Sequence, residues 1–330
     1  MENVHVPNVS RRQITDVVLM VRPSEICFNP QTAGDNFFQR ETPDVSQQSA
    51  QANANAEFEH FVEQLRVAGI QVIVADVSND PEAPDAVFPN NWVSFHDDGK
   101  VILYPMMAVN RRRERRPEII EQVRMAGFEV DSLVDYSAWE QEGLFLEGTG
   151  SLVLDRVNRL AFASLSPRTN EQAVRRWCEV MDYAPITFRA RQLVAGQARP
   201  IYHTNVMMGI GDTWIVICLE SIENSEERAQ VRDALASTGR ILIEIDERQM
   251  HRFAGNVMQL SSADGIPITV ISQTALDALT PAQRHGLARG SRLLSAEIPA
   301  IETCGGGSVR CMLAEIFLRR QKVKSRSGKP

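Results

Sequence analysis

Long apolar runs are missing from this 330-residue chain: the longest hold about six residues, against roughly 20 for a helix that spans a bilayer, so no membrane partner is expected. Cysteine is scarce. Cys27, Cys178, Cys218, Cys304 and Cys311 are too few and too scattered for a disulfide framework, and a reducing cytoplasm fits them best. Excess positive charge is also lacking. Lys and Arg number 35 against 42 Asp and Glu, a net charge of −7, which argues against nucleic acid as the main partner because phosphate binding wants a basic surface. The opening Met-Glu-Asn-Val-His-Val-Pro has neither the charged nor the apolar block of a signal peptide. No pair of His, Cys or acidic residues shows metal-ligand spacing, and no Gly-Lys-Ser/Thr follows Gly305-Gly306-Gly307. Neither a metal nor another cofactor is expected.

What remains is an ordinary globular composition, 43% apolar and 23% charged, without a low-complexity linker. One pattern recurs along it: short β-rich runs, an amphipathic helix, then another strand. Val17 to Val21 reads as a strand, Ala54, Phe58, Phe61, Leu65 and Ala68 fall at helical spacing, and Ile70 to Ala75 reads as a buried strand. A hairpin over Trp92–Tyr104 and a helix after Pro117 lead to a strand at Phe128–Val130. Later rounds pair strands at 151–154 and 160–163 with a helix from Asn170 to about Met181, and Trp214–Leu219 with a helix near 225–236. The last takes strands at 257–260 and 268–271, a helix after Pro281 and a final helix from Cys311. Five rounds suggest an α/β ring of similar units; the rival layout is one open α/β sheet, and periodicity alone does not separate them. One catalytic domain is expected over residues 1–318, with 319–330 a basic, solvated tail.

Three residue types carry chemistry. Cys311 follows the glycine run and opens the apolar stretch Met312–Leu318; at a helix N-terminus its thiolate would be favoured. His203 stands in Tyr202-His203-Thr204-Asn205, just before the apolar strand at Trp214, and Glu147 lies between Leu144-Phe145-Leu146 and Gly148-Thr149-Gly150. His60 and His285 fall within helical patterns and His96 closes a strand beside a turn, where a surface place is the default.

Taken together, Leu146-Glu147-Gly148, His203-Thr204-Asn205 and Gly305-Gly306-Gly307…Cys311-Met312 resemble the guanidine-modifying superfamily of the pentein fold. That superfamily includes arginine and agmatine deiminases, dimethylarginine hydrolases and amidinotransferases. Phe88-Pro89-Asn90-Asn91 and Ser166-Pro167-Arg168-Thr169 match as well, in the family's chain order, so the resemblance runs from about residue 17 to 318. It implies a five-bladed α/β propeller of ββαβ modules and a covalent mechanism. Cys311 would attack the planar carbon, His203 would carry the proton, and Glu147 would stabilise the imidazolium. It also implies that Arg168 receives a substrate carboxylate, helped by Arg111 or Arg113, and that Phe88 lies at the substrate.

The departures point to the substrate. Where arginine-processing members carry two aspartates, this chain has Asn91 and Asn205. A buried guanidinium wants carboxylates, whereas an amide both donates and accepts, which suits a neutral ureido group. The expected reaction is citrulline to ornithine, CO2 and NH3 through an S-carbamoyl enzyme. The segments Pro84–Trp92 and Leu103–Met106 also resemble a pentein branch proposed to hydrolyse citrulline. Two rivals stand: an arginine deiminase or amidinotransferase gripping guanidinium through Asp85 or Asp212, and a non-catalytic pentein scaffold. The sequence leaves open the oligomeric state, a homo-oligomer included, and whether residues 29–50 cover the substrate.

Overall fold

A computed structural model describes residues 11–44, 46–75 and 83–322. The fold is mixed α/β, and among the described residues the strands fall into five separate three-stranded sheets plus one hairpin rather than one open sheet. The first sheet holds β1 (Val17–Val21), then α1 (Gln47–Val67), then β2 (Gln71–Ala75) parallel to β1. Second come β3 (Val93–Phe95), β4 (Lys100–Leu103), α2 (Pro117–Met125) and β5 (Ser132–Asp135). The third round opens with a short helix, α3 (Gly148–Ser151), followed by β6 (Val153–Asp155), β7 (Leu160–Ser164), α4 (Glu171–Met181) and β8 (Ala184–Phe188). A hairpin of β9 (Arg191–Val194) and β10 (Gln197–Pro200) precedes the fourth round. That round is β11 (Met208–Ile210), β12 (Trp214–Ile217), α5 (Ser225–Ala236) and β13 (Ile241–Glu244). After α6 (Glu247–Met250), the fifth contains β14 (Met258–Ser261), β15 (Pro267–Ser272), α7 (Gln273–Ala278), α8 (Pro281–Ala288) and β16 (Arg292–Ala296). Then α9 (Pro299–Gly305) leads to β17 (Ala314–Glu315).

Each middle strand is antiparallel to the strand before it and parallel to the one reached through the helix. The parallel crossover needs a helix because a tight turn only reverses direction. In the first sheet the antiparallel partner comes from the far end of the chain: β17 pairs with β1, Val18 opposite Glu315 and Leu19 opposite Ala314. All five residues of β1 are buried, since both faces of the strand are covered. α1 sinks Ala54, Phe58, Phe61 and Leu65 onto one flank, all fully buried, and the two phenylalanines and the leucine contribute about 1.5–3 kcal/mol each.

Three expectations fail here. Met312–Leu318 is not a helix. The chain turns at Cys311 and enters β17, because an apolar run buried on all sides satisfies a strand as well as a helix, and β1 offers the ladder. The strand read at Phe128–Val130 forms later, at Ser132–Asp135, where it lies parallel to β4. His96 is buried, not superficial. Ser94 Oγ sits 2.7 Å from its Nε2, and burial holds its pKa well below the usual value. Of the basic tail, only 319–322 are described. Its first residues are tied down, Arg319 to Asp131 and Arg320 to Asp16, while Gln321 N donates to Gly127 O at 2.7 Å.

Candidate active site

The site residues come from one recurring place: the turn that enters the strand antiparallel to the middle strand of each sheet. Asn91 ends the 3-10 turn before β3, Glu147 stands at the N-cap of α3 before β6, and His203 precedes and Asn205 lies within the 3-10 turn before β11. Cys311 lies in the turn before β17, and Asn256 in the corresponding turn before β14. Close approach demands glycine at Gly150: a Cβ there would lie 2.4 Å from Asn91 Nδ2 and 2.9 Å from His203 Nδ1. A side chain at that point would push the amide and the imidazole apart.

His203 and Glu147 form a buried pair, with Nε2 2.8 Å from Oε2. Burial opposes the charge on Glu147, but Arg168, His203 and Arg111 outweigh it and hold the pKa at about 2. An ionised carboxylate can only accept, so the neutral imidazole carries its proton on Nε2 and leaves Nδ1 as a base. Burial lowers the His203 pKa despite the hydrogen bond it donates to Glu147, with Arg168 and Arg111 adding to the drop. The neutral form therefore persists below pH 6.5. The acid limb of kcat/KM is expected below that pH, and a pH–rate profile with its acid limb at or above 6.5 would contradict the assignment.

The Cys311 sulfur receives two amides, Asn256 Nδ2 at 3.2 Å and Asn205 Nδ2 at 3.5 Å. These donors, rather than a helix dipole, are what the fold offers a thiolate. Asn256 is fixed in turn, its Oδ1 accepting from Arg310 N at 3.1 Å and its Nδ2 also reaching the Asn205 carbonyl at 3.2 Å.

Two arginines complete the wall. Arg111 grips Glu114 with Nε and Nη2 at 2.8 and 2.9 Å, donates from Nη1 to Asn91 Oδ1 at 2.8 Å, and lies 3.6 Å from Asp85. Arg168, at the tip of a tight turn closed by Ser166 and Thr169, stacks on Tyr202 and lies 3.6 Å from Glu147. Its Nε donates to Asp35 Oδ2 at 2.9 Å, and its Nη2 to Asp35 Oδ1 and the Thr32 carbonyl. Asp35 belongs to the irregular segment before α1. That segment is pinned over the site by Asn36 Nδ2 to Gly305 O at 3.0 Å and by Asn29 Nδ2 to Asp85 Oδ2 at 2.7 Å. The cavity beneath it, shared by Cys311, His203, Asn91, Arg111, Arg168 and Asp85, measures ≈ 10 Å³, about one water in size. A larger cavity, ≈ 520 Å³, lies beyond Phe37 and Phe38 and contains neither the thiol nor Glu147 or His203.

The structure thus brings together Cys311, His203, Glu147, Asn91, Asn205, Phe88, Asp85, Arg111 and Arg168. It leaves out Arg113 and Asp212. Arg113 is exposed because a 3-10 turn repeats every three residues, so Arg111 and Glu114 share the inner face. Asp212 sits exposed in the turn between β11 and β12. Sequence reasoning missed Asp35, Asn36, Tyr202 and Asn256. Only Asn256 left a legible trace: Asn256-Val257-Met258 repeats Asn205-Val206-Met207. In the covering segment, Gln39 bonds to Asn29 and Thr32 and so shapes the loop rather than reaching into the cavity.

Several solved structures share this fold. The N-terminal domain of ArgZ bound to substrate, an arginine dihydrolase from the ornithine-ammonia cycle in cyanobacteria, superposes with a TM-score of 0.66 at 15% identity. The match covers 92% of this chain and 99% of that one. A dimethylarginine dimethylaminohydrolase adduct with S-methyl-L-thiocitrulline gives 0.60 at 16% identity, covering 92% and 100%. AgrE in complex with ornithine and NAD+ gives 0.67 at 17% identity, covering 94% of this chain but 40% of that one; full-length ArgZ is likewise covered over 41%. The ArgZ domain is also known covalently bound to a reaction intermediate. No curated protein matches the sequence. The family described as N,N dimethylarginine dimethylhydrolase, eukaryotic, matches residues 22–318. That match spans nearly the whole chain, and the protein accordingly belongs to this family, within the pentein guanidine-modifying superfamily.

Proposed function

We propose that this protein hydrolyses a C–N bond of a ureido amino acid, citrulline, through Cys311, with His203 as proton carrier and Glu147 as its partner. The observation that carries the choice of a ureido group is the orientation of Asn91. Arg111 Nη1 can only donate, so Asn91 must present Oδ1 to it, and this leaves the buried Nδ2 without a partner. A guanidinium has no acceptor to offer that donor; a ureido oxygen does. On the other side, Asn205 directs Nδ2 to the sulfur and leaves Oδ1 unpartnered, an acceptor for ureido N–H. Three of the carboxylates around the site, Glu114, Glu147 and Asp35, are already engaged by Arg111 and Arg168.

In the reaction, the Cys311 thiol gives its proton to His203 Nδ1 and its sulfur bonds to the ureido carbon. The tetrahedral species collapses as His203 protonates the departing ornithine nitrogen, leaving Cys311 as an S-carbamoyl thioester. His203 then takes a proton from water, which attacks the carbonyl and returns the thiol. The released carbamate decomposes to CO2 and NH3. Arg168 would receive the substrate carboxylate in place of Asp35, and Phe88, packed against Gly305 and Gly307, lines the chamber. We read the five sheets as blades of one ring, residues up to 318 as one catalytic unit, and the free cysteines as suited to a reducing cytoplasm.

One observation favours a guanidinium substrate instead: Asp85 Oδ1 is buried and unpartnered. Parallel assays with citrulline, arginine, dimethylarginine and agmatine decide, scoring ornithine and ammonia. Citrulline should be turned over fastest. Asn91→Asp removes the donor and should lower kcat/KM for citrulline by about 10- to 100-fold, the cost of one unsatisfied buried polar contact, while arginine turnover gains. Faster arginine turnover by the unmodified protein would overturn the reading.

A further inference from the structure

Arg310 and Cys311 are neighbours in the chain but face different cavities. Arg310 points into a second enclosed space, ≈ 20 Å³, walled by β6, β11, β14 and β17 where four sheets converge. Its side chain has an unusual set of partners. The residue is 6% exposed, its Nη1 donates to the Met208 carbonyl at 3.0 Å, and its Nε has no partner. The carboxylate of this cavity, Glu315, is already taken by Arg156 Nη2 at 3.5 Å, and no ion pair to Arg310 exists among the described residues. Gln259 supplies a second unsatisfied donor. Its Oε1 accepts from Asp212 N at 2.6 Å, which fixes the amide orientation, and its buried Nε2 is left without a partner.

The cavity therefore gathers two guanidiniums and one carboxylate, with two buried N–H donors left unsatisfied. Buried charges are paired or bound to ions, because an uncompensated one is costly. Burial pulls the Arg310 pKa below its usual value, only partly offset by Glu315 and Cys311, as befits a cation short of counter-charge. We propose that this cavity binds a monovalent inorganic anion of halide size between Arg310 Nε and Gln259 Nε2. The volume admits one or two water-sized particles, which suits chloride or bromide and excludes sulfate or phosphate. The anion would also steady the thiol, since Arg310 N holds Asn256 Oδ1 and Asn256 Nδ2 holds the sulfur.

The test uses the full chain exchanged into gluconate, chloride or bromide at constant ionic strength. Tm should rise by about 2–4 °C from gluconate to either halide. Crystals soaked in bromide should show an anomalous peak between Arg310 Nε and Gln259 Nε2. Arg310→Met should abolish the halide response, and Gln259→Met should weaken it if the first variant fails to fold. An absent peak, with water in its place, overturns the proposal. So does a peak without any halide dependence of Tm, which would mark an adventitious ion only, or a halide response unchanged in either variant.

Discussion

Cys311→Ala is expected to lower citrulline hydrolysis by about 10⁴-fold or more, since the substitution removes the atom that forms the covalent bond rather than one that assists it. The fold should survive. Cys311 sits in a turn, its sulfur only accepts from two amides, and Asn256 keeps its other contacts to Arg310 and Asn205 when the sulfur is gone. Steady-state ornithine release and a thermal melt on the same preparation separate catalysis from folding. Trapping of a carbamoyl adduct on the unmodified protein, absent from the variant, gives the positive counterpart. Turnover above about 1% of the parent in Cys311→Ala would remove the nucleophile assignment. It would point to another nucleophile; the scaffold reading would instead be favoured if the unmodified protein turned over none of the candidate substrates, because a binding protein of this fold has no need of that sulfur.

Glu147→Gln should be nearly as severe for a different reason. The carboxylate accepts from His203 and from Met107 N at 3.0 Å, and faces Arg168 and Arg111 at 3.6 and 3.8 Å. A glutamine there turns at least one donor toward groups that are themselves donors. It also removes the negative charge that keeps the imidazole proton on Nε2. A fall in kcat of about 10³- to 10⁴-fold is expected from the wrong tautomer. Two buried guanidiniums losing a partner should also cost about 3–5 kcal/mol of stability. The pH dependence gives an independent check. The Glu147 pKa falls from 4.5 to about 2 on folding, so its contribution is complete above pH 4.5 and is lost as pH drops through about 2. Denaturation midpoints of the parent should decline across that window more steeply than those of the variant. A glutamine variant within tenfold of the parent in kcat would show that His203 does not depend on this carboxylate.

How much of this was legible beforehand follows from range. Alternating strand and helix periods located most strands of the five sheets because those periods are local. The trio Glu147, His203 and Cys311 was legible because each lies in a short motif whose neighbours are apolar or glycine. The run after Cys311 misled because Met312–Leu318 is buried on all sides, and a stripe-free apolar segment has no period to read; pairing with β1 decided it. Arg113 and Arg111 were indistinguishable until the 3-10 geometry turned one inward. Asp35 was invisible for a stronger reason: nothing near it in the chain announces that Arg168 will lie beneath it.

The pairing of β1 with β17 has a consequence for biosynthesis. As the polypeptide emerges, Val17–Val21 waits with one ladder edge unmet until Ala314–Glu315, about 300 residues later, has been made. The sulfur of Cys311, the proposed nucleophile, sits just ahead of the strand that seals this seam. On the proposed reading, completion of the first sheet and placement of the Cys311 sulfur beside Asn205 and Asn256 are therefore a single late event, and a nascent chain that has not yet reached β17 should be inert toward the substrate.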